Sequence, residues 1–87
     1  MLYRIYTEKK NQECVEQIVL GHFPVHGYTM FDAIGYWRGN KEDTLVIEVE
    51  CHEHDRFKID AIASKIKTVN SQEAVLVVSI QSSARLY

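Results

Sequence analysis

Tyr36, Trp37, Arg38, Gly39, Lys41 and Glu42 crowd into positions 36–42 of an 87-residue chain. Tyrosine and tryptophan offer flat faces on which a ring can stack, and arginine and lysine supply donors for an anion. Gly35 and Gly39 permit a bend or a close backbone approach. These residue types suit recognition of a small anionic or nucleotide-like effector, or of a protein partner. They also suit a plain hairpin in which Trp37 anchors packing or an interface and the charges stay solvated.

A second group is Cys51-His52-Glu53-His54-Asp55. All four residue types are competent metal ligands. Strand alternation would put His52 and His54 on one side, and Cys51, Glu53 and Asp55 on the other. Cys51, His52 and His54 are therefore candidate metal ligands, with His22 or His26 as a donor from elsewhere. Asp55 reads equally well as a helix cap. The pair Gln72-Glu73 would suit a polar ligand at the end of a sheet, or a solvated turn. Asp32, inside an expected strand, must face solvent, a partner or a cleft. Paired with His26 or His52 it would be equipped for acid–base work. No Gly-x-Ser-x-Gly elbow, P-loop or GxGxxG is present, so a non-enzymatic protein without a cofactor is expected.

The elements that must position these groups follow from periodicity. Leu2-Tyr3-Arg4-Ile5-Tyr6-Thr7 alternates and predicts a strand. Asn11 is placed to cap a helix over 12–20, with Val15, Ile18 and Val19 on its apolar stripe and Gly21 as its stop. Residues 28–37 predict a second strand, 38–43 a polar loop longer than a tight turn, and 44–51 a third strand. Asp55 caps a predicted helix over 56–69, striped by Ile59, Ile62, Ala63, Ile66 and Val69. Ala74 to Ile80 is nearly continuous in apolar residues, which predicts a strand at the sheet centre or covered on both faces. Residues 82–87 form a tail. The order βαββαβ is the ferredoxin-like arrangement, an α+β fold with two helices on one face of a four-stranded antiparallel sheet. Tyr6, Met30, Tyr36 and Val46 are candidates for the face left open, and such a face on so small a domain calls for another subunit.

Composition sets the remaining bounds. Eighty-seven residues predict a single domain, 1–87. A domain of this size buries only roughly 60–65% of its unfolded surface, so oligomerisation would help it. A formal charge of −2 argues against a general nucleic-acid surface. No apolar run approaches the ~20 residues of a membrane span, and the N-terminal stretch lacks a signal-peptide core, so a cytoplasmic location is expected. Two cysteines, Cys14 and Cys51, make no disulfide framework.

Leu2-Tyr3-Arg4-Ile5-Tyr6 opening into a helix, Gly27-Tyr28-Thr29 starting a long strand, and Gly35-Tyr36-Trp37-Arg38-Gly39 leading into a hairpin together resemble the PII-like superfamily and its CutA relatives. The resemblance implies a homotrimer in signal transduction, with small molecules bound between subunits near the hairpin base. Nucleotide-binding members carry a glycine- and cation-rich loop before the last strand. Here that stretch is Thr68-Val69-Asn70-Ser71-Gln72-Glu73, with neither. The leading expectation is a small regulatory homo-oligomer that binds an effector or a protein through the 36–42 hairpin. A protein-interaction inhibitor of the phage anti-defence type and a weak metal-binding protein are the alternatives.

Overall fold

Alternating burial sets the two central strands. In β1 (Leu2–Glu8), Tyr3, Ile5 and Thr7 are buried while their neighbours are half-buried. In β3 (Asn40–Glu50), Leu45, Ile47 and Val49 fill the same core. A computed structural model describes all residues, Met1–Tyr87. The other elements are α1 (Gln12–His22), β2 (Tyr28–Trp37), α2 (Arg56–Val69) and β4 (Leu76–Ile80), with a 3₁₀ turn at Glu53–Asp55. The strands form one antiparallel sheet in the order β2-β3-β1-β4. Val15 and Val19 from α1, and Ile59, Ile62 and Ile66 from α2, close over one face of it. This is the ferredoxin-like arrangement. Each such side chain contributes roughly 1.5–3 kcal/mol when fully buried.

The opposite face carries no helix. Register places Tyr6, Phe31, Val46 and Leu76 there, since Val46 lies opposite both Tyr6 and Phe31, and Tyr6 lies opposite Leu76. Val46 is nonetheless buried, whereas Phe31 and Leu76 are exposed. Met30, expected on this face, pairs with Ile47 and packs against the core. Tyr36 shares Met30's parity, not that of Tyr6.

Several boundaries differ from expectation, each for a local reason. The stretch 38–43 is not a long loop. Trp37 pairs with Asn40, and only Arg38 and Gly39 form the turn, with φ of 50° and 81°. Two positive φ values in succession are the signature of a two-residue turn whose twist matches that of the strands. Lys41 and Glu42 therefore belong to β3. The apolar run at 74–80 is an edge strand, shorter than expected, with Leu76 exposed. The helix α1 passes through Gly21 and ends where Phe23 is buried and Pro24 offers no N–H.

Neither expected cap makes its side-chain bond. Asn11 adopts a left-handed φ of 53° and donates to Asn70 Oδ1 at 3.0 Å. Asp55 leaves its cap role to the 3₁₀ turn and lies 3.6 Å from Lys58 Nζ.

Candidate functional site

The β2–β3 hairpin runs past the end of β1, and its turn reaches across the sheet. Arg38 Nη2 donates to Glu73 Oε1 at 3.1 Å, although Glu73 lies just before β4, on the far side of β1. The strong twist of a long two-stranded ribbon permits this return. Between the curled hairpin and the start of β4 lies a cleft of about 390 Å³. That volume is within the range of small-molecule sites. Tyr6, Trp37, Thr44 and Leu76 contribute to its wall, with Gly35 and Tyr36.

Of the six hairpin residues singled out in the sequence, Tyr36, Trp37 and Glu42 line the cleft. Arg38, Gly39 and Lys41 do not. Lys41 is exposed opposite Tyr36, while the Arg38 guanidinium lies 5.8 Å from the centroid of the Trp37 ring. The electrostatics therefore differ from the anion site expected. The charged residues of the wall are Glu8, Glu42 and Glu73, with no lysine or arginine among them. Glu8 is paired with Lys10 at 2.9 Å and Glu73 with Arg38, whereas Glu42 makes no ion pair.

The loop that floors the cleft is held by side-chain amides centred on buried Asn70. Asn70, 2% exposed, donates to the Thr7 hydroxyl at 3.2 Å and to Gln72 Oε1 at 2.8 Å. Thr7 in turn bonds Gln72, and Asn11 bonds Asn70. Gln72 is thus a structural clamp, while its neighbour Glu73 faces the cleft and Arg38. Thr7, Glu8, Thr44 and Asn70 were not distinguished by residue type or spacing. Only Glu8 leaves a signal, because alternation along β1 puts it on the same face as Tyr6.

The histidine–cysteine group lies at the opposite pole of the sheet, where a wider depression of about 500 Å³ is lined by His26, Glu50, Cys51 and His52 among others. His52 and His54 stack, with ring centroids 4.9 Å apart. Cys51 packs against the core, where burial, and then the charge of Asp55, push its thiol pKa up. His22 is engaged with the Ile18 carbonyl, and His26 sits edge-on to Phe23. No three of the histidine, cysteine, aspartate and glutamate residues come together in a metal-binding group. Cys51 and His52 border the same depression, and the parity of β3 directs the thiol toward the core. Asp32 is paired with Lys9 at 2.7 Å and raises that lysine's pKa by hydrogen bond and charge.

The DUF3574 family, described as a protein of unknown function, matches residues 4–86. The chain belongs to this family. No curated protein matches it in sequence. Its fold is shared with a DUF3240 family protein from Shewanella baltica, at a TM-score of 0.70 and 10% identity over 99% of this chain and 94% of the other. A phage SAM lyase in its apo state aligns at a TM-score of 0.59 and 16% identity, over 87% of this DUF3574 chain and 75% of the lyase. CutA1 from Pyrococcus horikoshii aligns at 0.58 and 11% identity, over 97% and 87% of the two chains. The CutA-like fold implied by the hairpin and strand order is therefore present. No helix of the chain is long and apolar enough to cross a membrane.

Proposed function

We propose that this DUF3574 protein is a non-enzymatic binding protein whose cleft beneath the β2–β3 hairpin holds a small ring-bearing or compact apolar effector. The observation that carries this reading is the return of the hairpin over the sheet. It closes a cleft against Trp37 and Tyr6, whose rings share the helix-free face. The charges near the cleft suit recognition more than reaction, since Arg38 and Glu73 neutralise one another and Glu8 is held by Lys10.

The functional unit in this proposal is a homo-oligomer, with the trimer implied by the PII-like resemblance as its leading form. Phe31 and Leu76 on the helix-free face and the free edges of β2 and β4 are surfaces that another copy would cover. Bound effector would then alter what the exposed hairpin offers to a protein partner.

Native mass spectrometry of untagged protein tests the proposal. A homo-oligomer carrying extra mass that is lost in Trp37→Ala is the expected result. A bare monomer would overturn the assembly. Unchanged binding in a Trp37→Ala, Arg38→Ala double variant would overturn the role of the hairpin.

A further inference from the structure

We infer that the ligand of the hairpin cleft is an organic monocation, a quaternary ammonium or sulfonium group carrying apolar substituents. The inference rests on the binding reading above and adds the sign of the ligand's charge. Three features of the wall converge on it.

The first is charge. Glu8, Glu42 and Glu73 line the cleft and no basic residue does. Two of these carboxylates already have cations, Lys10 and Arg38, and Glu42 has none. An anion would meet this wall with repulsion, whereas a cation would complete it. Glu42 is half-buried and shares the helix-free face with Thr44, so its field is directed over the sheet and is less screened than that of a free surface carboxylate.

The second is the aromatic content. Tyr6 and Trp37, on the same face as Glu42, line the cleft. The negative face of an aromatic ring attracts a cation, tryptophan most strongly, and aromatic walls combined with carboxylates select alkylated ammonium groups over hydrated metal ions.

The third is an internal stand-in. The Arg38 guanidinium lies 5.8 Å from the Trp37 ring centroid and is bonded to Glu73 at 3.1 Å. The chain thus brings one of its own cations to an aromatic ring and a carboxylate that belong to the cleft wall. Arg38 itself does not line the cleft and sits at the turn. An incoming cation competes with it for both groups.

The competition makes a decisive variant. Arg38→Gly suits φ of 50° better than arginine does, so the fold is retained. It frees Trp37 and Glu73, and should raise affinity for a cation roughly three- to tenfold. Glu42→Gln should lower it roughly tenfold. Trp37 is the only tryptophan in the chain, so its fluorescence and its indole N–H resonance report on this site alone. Choline would be compared with its neutral isostere 3,3-dimethylbutan-1-ol. S-adenosylmethionine would be compared with S-adenosylhomocysteine, and adenosine monophosphate would serve as the anion.

Perturbation of Trp37 by choline, by S-adenosylmethionine or by both, without response to the uncharged partner, supports the inference and separates ammonium from sulfonium. Equal binding of charged and neutral partners, or preference for the monophosphate with loss in Arg38→Gly, overturns it while leaving the cleft a binding site. Silence of Trp37 toward all five compounds overturns both readings.

Discussion

Gly35 passes so close to Thr44 that a methyl group on its Cα would lie 2.7 Å from the threonine hydroxyl oxygen. Thr44 is buried and its hydroxyl is turned to the Glu42 carbonyl. The close approach sits where β2 and β3 leave the rest of the sheet and bend over the cleft. Gly35→Ala should therefore cost about 1–3 kcal/mol through overpacking. Thr44→Ala in the same chain should recover much of that loss. Urea unfolding of both single variants and the double variant checks the coupling, which independent sites would not show.

Asn70 joins the C-terminal end of α2 to Thr7 in β1, and its amide donates to two oxygens at once. Asn70→Asp preserves shape but removes both donors and faces Gln72 Oε1 with a carboxylate. The expected loss is about 1–3 kcal/mol at neutral pH. Chemical unfolding measures it, and an unchanged midpoint would show that water replaces the amide at no cost.

Ser71 has φ of 52° directly after α2, while Ser71 N–H and Gln72 N–H bond the carbonyls of Thr68 and Lys67. This is a Schellman ending with serine where glycine is favoured. Ser71→Gly should raise stability by roughly 0.5–1 kcal/mol, the relief of left-handed strain exceeding the added chain entropy. Thermal unfolding would reveal the opposite sign if the serine side chain had an unseen stabilising role.

Glu50 is held below the usual carboxylate range, first by the Ser82 hydroxyl and then by the N-terminal ammonium group. A depressed folded-state pKa contributes stability above the ordinary carboxylate pKa, and that contribution disappears as pH falls through the folded value. Ser82→Ala should cost a few tenths of a kcal/mol near neutrality, since Glu50 is partly exposed. The gap between wild type and variant should close below about pH 4. A gap independent of pH would assign the Ser82 effect to packing.

Cys14 is exposed and Cys51 is buried with a raised thiol pKa. Iodoacetamide should label Cys14 in the native protein, and Cys51 only on unfolding, because the thiolate is the reactive form. Mass mapping of the alkylated peptides distinguishes the two. Fast native labelling of Cys51 would mean that the end of β3 opens readily.

The element order was legible because Ile59, Ile62 and Ile66 recur at helical spacing, and because Tyr3, Ile5 and Thr7 alternate. The hairpin turn was harder to read. Asn40-Lys41-Glu42-Asp43 is polar and poor in strand formers, yet ten residues of pairing with β2 draw it into the sheet. An apolar run such as Leu76-Val77-Val78 reads alike whether it is central or an edge facing a partner, so the position of β4 was not encoded locally. Trp37 and Tyr36 stood out by type alone, and both border the cleft. The sign of its charge depended on Glu8 and Glu73, which reach it from other parts of the chain, and on the direction in which Arg38 turns. Asn70 and Thr7 are 63 positions apart, and nothing short of the fold reveals their contact.

The order β2-β3-β1-β4 places the first strand between two that follow it in the chain. On the ribosome, α1 and the hairpin emerge as locally bonded pieces, while β1 waits with both edges unpaired for β3 and then β4. The sheet closes only once Leu76–Ile80 has left the exit tunnel. Its Leu76 end borders the cleft, so the cleft wall is completed only when β4 joins the sheet.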